Sequence, residues 1–275
     1  MSKVELFQGD CLGLMKNIAD KSIDMILCDL PYGSTACKWD NVIPFESLFN
    51  HYKRIITDRG VIALFGAEPF SSHLRINSPV PYRYDLIWNK MRGVTFALAN
   101  KQPMRCHENI SFFYKKQPTY NPLKFPGMPY ICKGGARKKN IEMLGKKSSA
   151  SSIRATTINT GERFPLSILN FSRDPMKLHP TQKPVSLLEY LIKTYTNEGQ
   201  TVLDNCMGSG STGVACVRNK RNFIGMELDE KYFEIAKNRI EDEMKKAENH
   251  AESEPFWNLT TGENNVGGIN FAKKL

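Results

Sequence analysis

Hydrophobic and polar positions follow two periods along this 275-residue chain. Short apolar runs rich in β-branched and aromatic side chains predict buried strands, at residues 4–7, 22–30, 60–66, 83–88, 109–114, 164–171, 200–204 and 222–227. Segments with apolar residues three or four positions apart predict helices between them, at residues 12–18, 45–56 and 68–76 and after residues 184, 212 and 231. Strands that alternate with helices are typical of a wound, mostly parallel α/β sheet.

The pattern is lost between Lys115 and about Asn170, where Lys, Ser, Gly and Pro are frequent and periodicity is weak. A stretch this long without regular elements is typical of a binding insertion or a mobile segment. Residues 115–165 contain eleven basic and two acidic side chains, a net charge of +9 against +10 for the whole chain. This concentration of charge indicates a polyanionic partner, and a solvated charge run is the alternative interpretation.

Composition narrows the class of protein further. The chain is 41% hydrophobic and 24% charged, which is ordinary for a globular protein with a sizeable core. No run approaches the length of a membrane span, and the N-terminus lacks the apolar region of a signal peptide. The seven cysteines are scattered without a close pair, which indicates reduced thiols in a cytosol and argues against a disulfide framework or a metal site.

The tetrapeptide Asp29-Leu30-Pro31-Tyr32 directly follows the apolar run of the second predicted strand. A Pro two positions after the Asp ends strand pairing, so Asp29 is expected at the carboxyl edge of the sheet, where open α/β sheets bind ligands. A carboxylate, a backbone carbonyl and an aromatic ring are the groups needed to hold a flat base that carries an exocyclic amine. Taken alone, the string also fits a strand exit followed by a turn.

A second motif lies between the strand at 200–204 and the next predicted helix. Gly208, Gly210 and Gly213 match G-x-G-x-x-G, and Glu227 lies 19 positions after the first Gly at the end of the following strand. This spacing is typical of a nucleotide ribose site and, alone, also fits a dinucleotide oxidoreductase. Asp204 stands just before the loop, where its carboxylate would repel a pyrophosphate but could face the ammonium of S-adenosylmethionine.

These motifs, in this order, resemble the beta group of DNA amino-methyltransferases. The family signature at the first motif is Asp/Asn/Ser-Pro-Pro-Tyr, and here Leu30 replaces the first Pro. The segment His179-Pro-Thr-Gln-Lys-Pro also resembles the family sequence that precedes the glycine loop. The resemblance covers roughly residues 4–114 and 164–240, and the basic stretch lies outside it.

The resemblance implies a Rossmann-like class I methyltransferase with a mostly parallel seven-stranded sheet, a permuted motif order and a basic target-recognition insertion. The implied division is a catalytic and cofactor-binding domain formed by residues 1–114 and 164–250, an insertion at 115–163, and a C-terminal tail at 251–275. The implied cofactor is S-adenosylmethionine, and the implied substrate is double-stranded DNA.

The family motifs also imply roles for individual residues. The catalytic residues are expected to be Asp29, Leu30, Pro31 and Tyr32. The expected cofactor-binding residues are Asp10, Cys11, Asp29, Thr181, Lys183, Asp204, Met207, Gly208, Ser209, Gly210, Thr212 and Glu227. Within that set, Asp10 is expected at the adenine amine, and Thr181 and Lys183 at the methionine carboxylate. DNA contacts are expected from Lys38, Trp39, Arg137, Lys138 and Lys139, with packing as the alternative role of Trp39.

The expected reaction requires a base flipped out of the duplex. Asp29 and the Leu30 carbonyl would accept the two N–H groups of the target amine, and Tyr32 would stack on the ring. Asp at position 29 favours adenine N6, because Ser there usually accompanies cytosine N4 in the family. Cytosine N4 remains the alternative target, and a basic nucleic-acid-binding protein with a decayed cofactor fold remains a non-enzymatic alternative. The expected location is the cytoplasm, for a bacterial or phage-encoded protein associated with the nucleoid. A homodimer and a partner restriction endonuclease are left open.

Overall fold

The computed structural model describes residues 2–33, 41–143, 146–154, 156–175 and 178–253. Its strands are β1 (Val4–Gln8), β2 (Ile23–Cys28), β3 (Ile56–Gly66), β4 (Tyr82–Asn89), β5 (His107–Phe113), β6 (Phe125–Pro126), β7 (Tyr130–Cys132), β8 (Gly135–Met143), β9 (Lys146–Arg154), β10 (Thr157–Asn159), β11 (Glu162–Arg163), β12 (Ile168–Asn170), β13 (Thr201–Asp204) and β14 (Asn222–Glu227). Its α-helices are α1 (Cys11–Leu14), α2 (Phe45–Ile55), α3 (Phe70–Asn77), α4 (Val185–Tyr195), α5 (Ser211–Arg218) and α6 (Glu230–Ser253).

The central sheet of the described chain has eight strands in the order β1-β14-β13-β2-β3-β5-β4-β12. Adjacent strands are parallel from β1 to β3, whereas β5 runs antiparallel to both β3 and β4. The expected α/β fold with a mostly parallel sheet is therefore confirmed, but the expected count of seven strands is wrong. The additional strand is β12, which pairs in parallel with the last three residues of β4.

Two apolar clusters cover the two faces of the sheet, because successive side chains of a strand point to opposite sides. In β2, Met25 and Leu27 belong to the cluster formed with α4, α5 and α6. Ile26 and Cys28 belong to the cluster formed with α1, α2 and α3. Strand β2 is thus buried on both faces, which explains its continuous apolar sequence.

The basic stretch is more ordered than its sequence suggests. Three antiparallel strand pairs lie within it, β6 with β11, β7 with β10, and β8 with β9. The expectation that this stretch lacks regular elements is therefore wrong. Its strands are short or polar, so each one depends on its partner strand for stability. Such strands show little alternation of apolar and polar residues in the sequence.

Other differences from the sequence expectations concern element ends. The helix expected at residues 12–18 is divided into α1 and a 3-10 turn at Met15–Asn17. The strand expected at 164–171 contracts to the three residues of β12. Ala247 continues the apolar spacing of α6 in the sequence, but it is exposed. Among the helices that the structure describes, none is long and apolar enough to cross a membrane.

Candidate active site

A cavity of about 410 Å³ opens at the carboxyl edge of the parallel strands. Its position follows from the pairing of β13 with β2, which places Asp204 and Asp29 at neighbouring strand ends. Most of the expected site residues line this cavity: Asp10, Cys11, Asp29, Leu30, Pro31, Tyr32, Thr181, Lys183, Asp204, Met207, Gly208, Ser209, Thr212 and Glu227. Residues that are distant in sequence are therefore brought together in one ligand-sized space.

The Asp29 carboxylate is fixed by two donors. The Tyr32 hydroxyl donates to Asp29 Oδ1 at 2.6 Å, and the Lys183 ammonium donates to Asp29 Oδ2. Lys183 also donates to the backbone carbonyl of Thr181 and lies 5.1 Å from the centroid of the Phe65 ring. The cation expected to bind the methionine carboxylate is thus an ion-pair partner of Asp29.

Two charged residues that the sequence did not single out complete this arrangement. Lys183 Nζ lies 3.5 Å from Glu108 Oε2, and the other oxygen of Glu108 accepts a hydrogen bond from Lys90. Lys90 directly follows β4 and Glu108 is the second residue of β5. Asp29, Lys183, Glu108 and Lys90 form a buried group of two anions and two cations, which we call the charge network. All four line the cavity.

Burial and mutual attraction set the pKa values within the charge network. Burial raises the pKa of Asp29, which Lys183 opposes and Glu108 reinforces. Burial acts to raise the pKa of Glu108 as well, but Lys183 and Lys90 outweigh it and the pKa falls. The pKa of Lys183 is raised because the attraction of Asp29 and Glu108 exceeds its burial, whereas burial lowers the pKa of Lys90. These directions keep Lys183 charged beside Asp29.

Two of the carboxylates expected to bind the cofactor, Asp204 and Glu227, also hold the surrounding backbone. Asp204 accepts hydrogen bonds from the Thr212 hydroxyl at 2.6 Å and from the Cys206 amide at 3.2 Å. Glu227 accepts from the amides of Gly208 at 2.8 Å and Asp229 at 2.9 Å. Burial raises the pKa of Asp204 to about 6 and raises that of Glu227. Each carboxylate oxygen can accept a second hydrogen bond, so ligand donors can still be bound.

The glycine loop has two functions that the sequence pattern does not distinguish. Gly208 has φ +52° and borders the cavity, and a Cβ there would meet only the His179 ring at 3.6 Å. Gly210 has φ +76°, but a Cβ there would lie 2.9 Å from the Ala236 Cβ and 3.1 Å from Ile240 on α6. Gly210, expected among the cofactor-binding residues, allows α6 to pack against the loop, and its contact with the cofactor stays a prediction.

Other expected cofactor residues have visible structural contacts. The Asp10 carboxylate caps α1 by accepting from the amides of Leu12 and Gly13. The Thr181 hydroxyl lies 3.1 Å from His179 Nδ1. Ser209 is held by Arg239 of α6, which donates to its carbonyl at 3.1 Å. Cys11 and Met207 are buried at the cavity wall.

Three of the five expected DNA-binding residues lie in the basic stretch, away from the residues that line this cavity. Arg137, Lys138 and Lys139 lie in β8, where their pairing partners in β9 are Ser152, Ser151 and Ala150. Lys38 and Trp39 lie outside the described residues. Within the described residues, no group of His, Cys, Asp and Glu side chains could hold a metal ion.

Comparison with known proteins adds a family and a fold. Residues 23–238 match the model of the DNA methylase family (N6_N4_Mtase). The chain is 27% identical to the type II methyltransferase M.HinfI of Haemophilus influenzae, over 86% of this chain and 67% of that protein. It is 25% identical to the DNA adenine methyltransferase YhdJ of Escherichia coli K12, over 86% of this chain and 82% of that protein.

Solved structures show the same fold at low sequence identity. The M1.HpyAVI–SAM complex has a TM-score of 0.58 and 24% identity, over 86% of this chain and 99% of that one. The cytosine-N4-specific PvuII DNA methyltransferase has a TM-score of 0.60 and 17% identity, over 90% of this chain and 94% of that one. The Rossmann-like methyltransferase fold expected from the sequence is therefore confirmed.

Proposed function

Since the chain belongs to the DNA methylase family and is an S-adenosylmethionine-dependent DNA amino-methyltransferase, we propose that it methylates the N6 amine of adenine in double-stranded DNA. The observation that carries the proposal is the Asp29 carboxylate, held by Tyr32 and Lys183 in the wall of the cavity. The similar protein YhdJ is named a DNA adenine methyltransferase, which supports adenine as the target.

Cytosine N4 is the second candidate target. The PvuII enzyme, specific for that position, has the same fold as this chain. Both amines carry two N–H donors, so a carboxylate and a backbone carbonyl could hold either one. We favour adenine because the first position of the catalytic motif is Asp29 rather than Ser.

The cofactor fits the part of the cavity formed after β13 and β14. Asp204 would hold the ammonium of the methionine moiety, and Glu227 would accept hydrogen bonds from the ribose hydroxyls. Gly208 leaves room for a ligand against the backbone, since little stands where its Cβ would be. When bound, S-adenosylmethionine supplies an electrophilic methyl group on its sulfonium.

The residues of the chain orient and polarise the target amine. Its lone pair is delocalised into the aromatic ring, so the amine is a weak nucleophile. Asp29 and the Leu30 carbonyl would accept its two N–H groups and favour a pyramidal nitrogen whose lone pair is available. Tyr32 and Lys183 restrict the Asp29 carboxylate to one position, so orientation and preorganised charge contribute most of the acceleration.

The proposed division of labour extends to the rest of the chain. Residues 1–114 and 164–250 would form the catalytic and cofactor-binding part, and residues 115–163 would recognise the target sequence. The expected tail, 251–275, begins within α6, which ends at Ser253, and its other residues lie outside the described residues. The insertion has a high positive charge suited to phosphate contacts.

The test is transfer of labelled methyl groups from S-adenosylmethionine into duplex DNA, followed by nucleoside analysis. We expect N6-methyladenine from the wild type. If N4-methylcytosine is the only methylated product, the target is cytosine N4 instead of adenine N6. Asp29→Ala should abolish transfer while calorimetry shows that cofactor binding is largely intact, because the other residues expected at the cofactor are unchanged. Asp58→Ala is the matched control, since Asp58 pairs with Lys21 and Lys116 at the surface. Near-normal turnover of Asp29→Ala would contradict the assignment of Asp29.

A further inference from the structure

The connection between β4 and β5 projects from the rim of the cavity. We call residues 91–106 the rim hairpin. Both of its roots are cavity residues, Lys90 before it and Glu108 shortly after it. Two backbone hydrogen bonds close it, from the amide of Lys90 to the Cys106 carbonyl at 2.7 Å and from Val94 to the Arg105 carbonyl at 2.9 Å. A 3-10 turn at Phe96–Leu98 lies near its tip.

The surface of the rim hairpin is both basic and apolar. It contains Arg92, Lys101 and Arg105, all exposed, and its sequence has no acidic residue. Phe96 is 83% exposed, and the other large apolar side chains that are exposed are Met91, Leu98 and Met104. A solvent-exposed aromatic side chain among cations suits a nucleic acid, which has phosphates close to stacked bases.

The location of the rim hairpin distinguishes it from the basic insertion. The insertion leaves the sheet after Phe113, at the opposite end of β5 from Glu108. Asp29 lines the cavity at the carboxyl edge, so a flipped base that enters this cavity brings the duplex against the side of the molecule from which the rim hairpin projects. A flipped nucleotide also leaves a gap in the base stack close to that rim.

We propose that the rim hairpin binds the duplex beside the target nucleotide, with Arg92 and Lys101 on phosphates and Phe96 inserted into the gap that the flipped base leaves. Apolar side chains inserted between base steps stabilise distorted duplexes elsewhere in this manner. The proposal rests on the proposed function only in requiring a flipped base, and it is the same for adenine and for cytosine.

The test of Phe96 is base flipping in a duplex that contains the target site, which is found first by sequencing methylated DNA from cells that express the protein. The fluorescence of a 2-aminopurine placed next to the target base increases when the target base is flipped and the probe loses its stacking partner. This signal does not depend on whether adenine or cytosine is methylated. Phe96→Ala should reduce the fluorescence increase and weaken DNA binding about tenfold, with the affinity for S-adenosylmethionine unchanged. Ile76→Ala is the matched control, because Ile76 is 81% exposed at the far end of α3.

The test of the cations is the dependence of DNA affinity on salt. The double variant Arg92→Gln/Lys101→Gln should lower the slope of log affinity against log salt by about two, since each lost phosphate contact removes about one. An unchanged slope would overturn the rim hairpin as a DNA contact, and unchanged fluorescence and affinity in Phe96→Ala would overturn its insertion. Failure of the wild type to methylate DNA would instead refute the proposed function. The salt dependence of DNA affinity needs no methylated site, so it would still test the rim hairpin as a DNA contact.

Discussion

Glu108→Gln removes one charge from the charge network and keeps the shape of the side chain. Glu108 contacts both cations, and its side chain is 12% exposed against 5% for Lys90. Without it, Lys90 loses the carboxylate that it contacts, and two buried cations face the single anion Asp29. The variant therefore tests whether the four charges stabilise the fold as a neutral set.

The magnitude follows from the geometry. Two unit charges 3.5 Å apart, the separation of Lys183 from Glu108, attract by about 5 kcal/mol at an effective dielectric constant of about 20. Part of this attraction offsets the desolvation of the pair, and breaking a buried pair typically costs about 3–5 kcal/mol. We expect Glu108→Gln to lower the free energy of unfolding by about 4 kcal/mol.

Urea denaturation of the wild type and the variants measures this loss. The double variant Glu108→Gln/Lys90→Met restores a balanced charge and should recover at least half of it. Glu162→Gln is the matched control, because its partner Lys124 lies at the surface and an exposed pair contributes about 1 kcal/mol or less. A loss below about 1 kcal/mol for Glu108→Gln, or a double variant no more stable than the single one, would refute the reasoning.

Three further outcomes are expected. Gly210→Val should lower the unfolding free energy by about 3 kcal/mol in thermal or urea denaturation, because its positive φ and its contact with α6 both disfavour a side chain; lost cofactor binding with unchanged stability would contradict this. The pKa of Asp204 is raised to about 6, so protonation below that pH should weaken S-adenosylmethionine binding, and calorimetry from pH 5 to pH 8 should show a flat profile for Asp204→Asn. Neutralising Arg137, Lys138 and Lys139 together should flatten the salt dependence of DNA binding while preserving the preferred site, and an identical slope would show that they lie on a solvated face.

The elements around Asp29 and Asp204 were predictable because their signals are local. Each Asp ends a short apolar run, and the ends of parallel strands meet at one edge of the sheet. The helices α2, α4 and α5 likewise follow from the spacing of their apolar residues. The order of the motifs then carried the resemblance to the methyltransferase family.

The charge network could not be predicted in this way. Glu108 comes near Lys90 because β5 pairs antiparallel with β4, with Trp88 opposite Glu108. Neither Lys90 nor Glu108 stands out by its spacing in the sequence. The available signal was a charged residue at the edge of an apolar strand, which is also common at ordinary surfaces. Gly210 shows a similar limit, because a glycine pattern records that a Cβ is excluded but does not reveal whether a ligand or a helix excludes it.

The central sheet interleaves strands from the two sides of the insertion. Strand β1 pairs with β14, and β2 lies between β13 and β3, while Asp29 and Lys183 are 154 positions apart. A cut within the insertion would therefore produce two fragments, each lacking strands and charges that the other supplies. Methyl transfer would return only when the two fragments associate. The topology therefore suits a split enzyme: with each fragment fused to one of two interacting proteins, DNA would be methylated where those proteins bind each other.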